Sequence, residues 1–213
     1  MKKTRARTLE EKNRVFKEII QKGRELFLRY GVGSFTLRAL ANELGMGQAS
    51  LYTYFQSKRE LWFAIVEEDF RNVDCKIEEL VRNHKGKNIL LIEQIAKTYF
   101  DAIKEDYRNF RLVFKTKPPK STKKGPIEAQ YEIRTIKILQ EILLKASQER
   151  EIKEREIIKL AYFFWSMIFG IALSTQTDSF GMIEKLSYFG TLEEYFDFVL
   201  RKIKILIEIL QEK

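Results

Sequence analysis

Cysteine and histidine are almost missing from this sequence of 213 residues, which contains one of each, Cys75 and His84. A single cysteine cannot form a disulfide within the chain. Because no other ligand residues cluster with these two, neither a zinc site nor a Cys–His dyad is expected. The sequence also lacks a glycine-rich phosphate loop, and its carboxylates lie among Lys and Arg residues, as on solvated faces. These absences predict that the chain is not an enzyme and uses no metal or cofactor.

Proline and glycine are scarce as well, with 3 and 10 residues. No Asn-Gly or Asp-Gly turn and no strand–glycine–helix unit occurs, so neither β-hairpins nor βαβ units are indicated. Leu, Glu, Lys and Arg, which form helices readily, are abundant. We therefore expect an all-α protein of about nine helices. The charged N-terminus lacks the apolar segment of a signal peptide, which predicts a cytoplasmic protein.

One long hydrophobic run is present, from Leu160 to Thr177, and it contains no charged residue. A membrane-spanning helix needs about 20 mostly apolar residues, and this run is shorter and ends in Ser-Thr-Gln-Thr. We predict a helix buried on all sides, within a bundle or a dimer interface. A membrane span is the alternative.

Positive charge is concentrated at the N-terminus. Residues 1–60 contain 13 Lys and Arg against 6 Asp and Glu, a net charge of +7 out of +9 for the whole chain. A basic patch confined to one module suits DNA, because neutralising phosphates releases counterions. The alternative is a solubilising basic tail before Thr8. The same basic arm, residues 1–9, could enter a minor groove, although a disordered tail is the preferred interpretation.

A helix-turn-helix is predicted for residues 36–55. Thr36 can cap a short helix, and Gly45 can take the positive φ that a tight turn requires. A third short helix then runs from about Gln48 to Phe55. Its outward side chains include Gln48, Ser50, Tyr52 and Thr53, which can form hydrogen bonds in a groove. An ordinary helical hairpin would show the same pattern.

The other predicted helices cover residues 10–30, about 58–83, 89–105, 108–115, 127–149, 154–177 and 191 onwards. The Ser57-x-x-Glu60 and Thr191-x-x-Glu194 sequences are capping boxes. Residues 117–126 form the evident loop, rich in lysine and proline. We predict that this loop is solvated, with DNA contact through its lysines as the alternative.

The helix-turn-helix closely resembles the signature of the TetR family of transcriptional regulators. The residues that carry the resemblance lie in the region 12–65: Tyr30-Gly31, Thr36, Leu40-Ala41, Leu44-Gly45-Met46-Gly47, Ser50-Leu51-Tyr52, Tyr54-Phe55, Ser57-Lys58 and Leu61. The resemblance implies an N-terminal DNA-binding domain, residues 1–58, and a C-terminal ligand-sensing and dimerisation domain, residues 59–213. It also implies a homodimer that binds a palindromic operator, most often as a repressor.

Several residues match positions that contact DNA in the family. Thr36, Tyr52, Tyr54 and Lys58 would contact the backbone, whereas Gln48, Ala49, Ser50 and Thr53 would face bases. Two of these positions depart from the usual pattern, since Gln48 replaces a frequent basic residue and Thr53 a frequent His or Arg. The predicted DNA-binding set is Thr36, Arg38, Met46, Gly47, Gln48, Ala49, Ser50, Tyr52, Thr53, Tyr54 and Lys58.

The C-terminal part is predicted to bind a small lipophilic or aromatic effector between the fifth and eighth helices, and its last two helices to form the homodimer. Aromatic and aliphatic side chains suit such a pocket, although they occur more often in a core. The last two helices could likewise fill an intrachain core. A DNA-binding regulator without a small-molecule ligand is the alternative function. The predicted lining residues are Tyr99, Phe100, Ile103, Phe110, Phe114, Tyr131, Ile138, Phe164, Met167 and Ile168.

Overall fold

Helices account for all the regular secondary structure in the described part of this computed structural model, which covers residues 8–105, 110, 112–113, 116–120, 125–130, 133–174 and 190–212. The all-α prediction is confirmed. A 3-10 turn, Asn88–Leu90, precedes the fifth helix. The helices are α1 Leu9–Tyr30, α2 Leu37–Glu43, α3 Gln48–Tyr52, α4 Lys58–Asn83, α5 Leu91–Glu105, α6 Pro126–Gln130, α7 Arg134–Gln148, α8 Ile157–Ser174 and α9 Leu192–Glu212.

The helix starts follow from their capping residues. Thr8 and Thr36 accept hydrogen bonds from the backbone N–H groups of Glu11 and Ala39, as N-caps do. At the start of α9, the Thr191 hydroxyl accepts from the Glu194 N–H and the Glu194 carboxylate accepts from the Thr191 N–H, at 3.2 and 2.6 Å. The predicted capping box at this position is therefore confirmed.

The chain forms two compact units. The first contains residues up to Phe70 together with 108–131, and the second contains 71–107 and 132–213. These units divide the chain differently from the predicted boundary after residue 58. The reason is that the first turns of α4 pack into the first core through Leu61, Trp62 and Ile65. As a division of function, the predicted boundary stays a prediction.

The prediction of one continuous helix over residues 127–149 is wrong. Ile133 has an extended backbone, with φ −75° and ψ 95°, and acts as the N-cap of α7. Residues Pro126–Gln130 form the separate short helix α6. No proline or glycine marks this break. The helix breaks because α6 belongs to the first compact unit and α7 to the second. Of the helix predicted for residues 108–115, Phe110, Leu112 and Val113 are helical and the other residues lie outside the described chain.

In the second unit, α5 packs against α8 and α9, and α7 packs against α8. Helix α8 buries Ala161, Phe164, Trp165, Ile168 and Ala172. Its opposite side is exposed in the single chain, so burial on all sides would require a dimer interface and stays a prediction. By length and composition α8 could also cross a membrane: its mean hydropathy over 18 residues is 1.7, and 28% of that window is buried.

The Glu151 carboxylate fastens the start of the 3-10 turn. It accepts hydrogen bonds from the backbone N–H groups of Asn88 and Ile89, at 2.8 and 2.9 Å, and from the Asn88 side-chain amide. Burial acts to raise the pKa of Glu151, but these hydrogen bonds to the charged form outweigh it and lower the pKa. Folding therefore favours the ionised carboxylate.

Replacing Glu151 with Gln should destabilise the fold by about 1.5 kcal/mol near neutral pH, since hydrogen bonds to charged groups are worth about 1.5–3 kcal/mol. Because the folded-state pKa is lowered, this contribution is present above the unfolded pKa and is lost as the pH falls through the folded pKa. Urea unfolding at several pH values measures it. Glu141→Gln, at an exposed site on α7, is the control. A pH-independent difference between wild type and Glu151→Gln would contradict this account.

Candidate nucleic-acid interface

The turn between α2 and α3 has the geometry that the sequence predicts. Gly45 has a φ of +63°, and the backbone N–H groups of Gly45 and Met46 donate to the carbonyls of Asn42 and Ala41. Leu40, Ala41 and Leu51 are fully buried between the two helices. This packing holds α3 in a fixed orientation on the first unit.

The predicted base-reading residues lie on the exposed side of α3. Gln48, Ala49 and Thr53 are exposed, Ser50 is half-buried, and Tyr52 is 44% exposed. Helix α3 is shorter than predicted, because it ends at Tyr52 and Thr53 is its C-cap. The Thr53 hydroxyl donates to the Ser50 carbonyl at 2.7 Å, which leaves its methyl group and oxygen for an outside partner.

The predicted backbone-contacting residues differ in how available they are. Thr36 and Arg38 are exposed, and the Thr36 hydroxyl keeps its proton for donation while its oxygen accepts from Ala39. Tyr54 is half-buried and packs against the core of the first unit. Of the remaining predicted residues, Met46 is half-buried and Gly47 is exposed.

Lys58 is the predicted contact whose charged group is already engaged. Its Nζ donates to the carbonyls of Val32 and Phe35, at 2.9 and 2.8 Å, and lies 5.3 Å from the centre of the Phe35 ring. These contacts tie the first turn of α4 to the loop before α2. Lys58 therefore supports the helix-turn-helix, and its contact with a phosphate stays a prediction.

The charge around α2 and α3 is positive. Glu43 is the single acidic residue between Gly31 and Arg59 in the sequence. Its carboxylate pairs with Lys22 of α1 at 2.9 Å, and this contact raises the pKa of Lys22. Because Glu43 is paired, the stretch between Gly31 and Arg59 contributes no unpaired negative charge near α3. This favours binding to a polyanion.

The predicted effector-binding residues are mostly packed side chains. Phe100 stacks on Phe196 at 4.4 Å between ring centres. Tyr99 packs edge-on against Trp165 at 5.5 Å, and its hydroxyl lies 2.8 Å from that of Thr135. Ile103, Phe164 and Ile168 are buried, and Ile138 and Met167 are half-buried. That these residues line an effector pocket stays a prediction.

Phe110 packs edge-on against Phe70 in the first unit, at 5.1 Å between ring centres, whereas Phe114 and Tyr131 lie outside the described residues.

The second unit has a cleft of about 570 Å³ beside the C-terminal half of α4, bordered by Lys76, His84, Asp101 and other polar residues. It is not lined by any predicted effector-binding residue. Within the described chain, no three His, Cys, Asp or Glu side chains come together as metal ligands.

An exposed apolar stripe on α8 and α9 is more sharply defined than the sequence suggested. On α8 it includes Ile158, which is 64% exposed, and Tyr162, one turn later. On α9 the residues recur at helical spacing, which is the signal in the sequence that marks them. The members of this apolar stripe are Ile158, Tyr162, Phe163, Leu173, Phe198, Ile205 and Ile209.

Comparison with known proteins agrees with the geometry of the first unit. Residues 19–65 match the family described as bacterial regulatory proteins, tetR family. A segment of 90 residues, 42% of this chain, is 26% identical to the transcriptional activator FasR of Mycolicibacterium smegmatis and spans 41% of that protein. The chain thus covers less than half the length of this curated relative.

Two solved structures show the same fold over most of the chain. A TetR-family regulator of Syntrophomonas wolfei is 14% identical and superposes with a TM-score of 0.72 over 92% of this chain and 96% of its own. AibR, solved with isovaleryl coenzyme A and operator DNA, is 17% identical with a TM-score of 0.56 over 87% and 95%. The segment 19–65 is thus similar to the tetR family of bacterial regulatory proteins, and the chain shares its all-α fold with a solved TetR-family transcriptional regulator.

Proposed function

We propose that the protein binds a palindromic operator as a homodimer and inserts α3 of each protomer into the major groove. The observation that carries this proposal is the exposed polar side of α3, held on a positively charged unit by the Gly45 turn. In helix-turn-helix proteins the second helix reads base edges while the first crosses the backbone. Gln48 can pair with adenine, and the Thr53 methyl group can pack against thymine.

The apolar stripe on α8 and α9 supports the homodimer. A monomer seldom leaves so many large apolar side chains exposed on two helices. A twofold axis brings the same stripe of both protomers together, which buries it without a second kind of surface. We propose that α8 and α9 of two protomers form the dimer interface, rather than a membrane span.

The effector is proposed to be a small lipophilic or aromatic molecule bound in the second unit. AibR was solved with isovaleryl coenzyme A, so a protein of this fold can hold an acyl thioester together with DNA. A ligand releases the operator only if it binds one state of the dimer more tightly than the other. Helix α4, which runs from the first unit into the second, is the element that would transmit this difference.

We propose repression in the cytoplasm as the regulatory outcome, because a dimer that covers an operator blocks access to it. FasR is an activator, so measuring transcription from a bound promoter decides whether this protein represses or activates.

Thermal unfolding with acyl coenzyme A esters, free fatty acids and aromatic compounds tests the effector. A stabilising ligand that also lowers operator affinity supports release. Stabilisation by none of them, together with intact operator binding, favours a regulator without a small-molecule ligand.

Selection from a random duplex pool tests the DNA-reading proposal. The wild-type protein should enrich a palindrome, and Gln48→Ala should lose preference at one position in each half-site, worth about 1–3 kcal/mol per base contact. Lys12→Ala, at an exposed site on α1, should leave the selected sequence unchanged. Identical selected sequences for wild type and Gln48→Ala would contradict the proposed role of Gln48.

A further inference from the structure

A basic segment of the first unit is fastened to the first turn of α4, and we call it the strap, residues 116–130, described at 116–120 and 125–130. The sequence favoured a solvated loop for most of it. The structure shows contacts at both of its ends. Trp62 Nε1 donates to the Thr116 hydroxyl at 2.9 Å, and Arg59 Nη1 donates to the Pro119 carbonyl at 2.9 Å.

The far end of the strap is held by charged groups. Arg59 pairs with Glu128 through two hydrogen bonds of 2.7 and 2.5 Å, and the Glu128 side chain is only 6% exposed. The Ile127 N–H donates to Glu60 at 3.3 Å. Gly125 lies so close to the Glu60 carboxylate that an added Cβ would be 2.8 Å from it. A bidentate Arg–carboxylate pair fixes orientation as well as position.

The charge of the strap is strongly positive. Between Thr116 and Ile127 the sequence contains four lysines and no acidic residue, and Glu128 is the single acid of the whole strap. Because Arg59 pairs with Glu128, this acid does not offset the lysines. In the described part of the strap, Lys117 and Lys120 have exposed side chains.

The strap is attached where α4 begins, and five residues separate that point from the end of α3. The ammonium group of Lys58, in that first turn of α4, donates hydrogen bonds to the carbonyls of Val32 and Phe35. Lys117 and Lys120, which lie next to the fastened residues Thr116 and Pro119, are exposed. At about 0.1 M salt the Debye length is about 10 Å, so an exposed cation within that distance of a bound duplex attracts its phosphates.

We propose that Lys117 and Lys120 contact phosphates of the same duplex that α3 reads, which extends the DNA interface beyond the helix-turn-helix. This inference rests on the proposed DNA binding. Contacts to phosphates carry no sequence information. The strap therefore adds affinity for any duplex and leaves the choice of operator to α3.

The test compares wild type with the double variant Lys117→Gln/Lys120→Gln, using the selected operator and a scrambled duplex between about 50 and about 200 mM salt. The plot of log affinity against log salt should flatten by about 0.9 per lost phosphate contact, or about 3.6 for four lysines in a dimer. Affinity for both duplexes should fall in parallel. Circular dichroism confirms that the variant is folded.

Lys145→Gln/Lys153→Gln is the matched control, because it removes the same charge from exposed sites in the second unit. An unchanged salt slope in the strap variant would overturn the inference, and so would an equal change in the control. A loss confined to the selected operator would also overturn it. If the wild-type protein binds no duplex, the proposed function itself fails, which is a distinct outcome.

Discussion

Replacing Ile205 and Ile209 with Asp should convert the protein into monomers that bind the operator weakly. Both side chains belong to the apolar stripe of α9 and are 45% and 43% exposed in the single chain. A carboxylate is therefore tolerated in the monomer, whereas an unpaired charge buried in an interface costs roughly 3–5 kcal/mol. The dimer dissociation constant should rise at least about a hundredfold, measured by analytical ultracentrifugation.

Lys204→Ala is the control for this experiment, since Lys204 is exposed on the same helix outside the stripe. It alters the net charge by one, as each Asp substitution does. The control should remain dimeric and keep its operator affinity. A double variant that stays dimeric at wild-type affinity would show that α9 does not form the interface.

Phe55→Ala should destabilise the first unit by about 3–5 kcal/mol, the usual cost of deleting a buried ring. Phe55 is fully buried and its ring centre lies 5.4 Å from that of Phe16 in α1. Domains are stable by only about 5–15 kcal/mol, so the unit that presents α3 should be partly unfolded at moderate temperature. Thermal unfolding followed by circular dichroism measures the loss.

Tyr52→Ala separates stability from DNA contact in the same segment. Tyr52 is exposed, so its removal should change stability by no more than about 0.5 kcal/mol while weakening binding to every duplex. Phe55→Ala, in contrast, should recover DNA binding on cooling, as the fold returns. A Phe55→Ala protein with wild-type stability would show that this core does not hold the helix-turn-helix together.

The helix-turn-helix could be predicted from the sequence because its local signals agree. Thr36 is an N-cap, Gly45 takes a positive φ, and Leu40 and Leu51 occupy buried positions. Each of these features depends on neighbouring residues along the chain. The capping box at Thr191 and the end of α1 at Gly31 were predictable for the same reason.

The features that depend on distant residues could not be predicted. Lys58 bonds to carbonyls 23 and 26 residues away, and Glu128 pairs with Arg59 across 69 residues. Nothing in the neighbouring sequence indicates these partners. The break at Ile133 has the same origin, because it separates segments that pack into different cores. Tertiary packing overrode a continuous helical pattern there.

Hydroxyl-radical footprinting of the bound operator tests the central claim most directly. Two α3 helices related by a twofold axis should protect two half-sites on one side of the duplex, about one helical turn or a multiple of it apart. The two footprints should mirror each other about the centre of the palindrome, and Gln48→Ala should weaken both equally. A single unsymmetrical footprint, or uniform protection along the duplex, would contradict recognition of DNA by paired α3 helices.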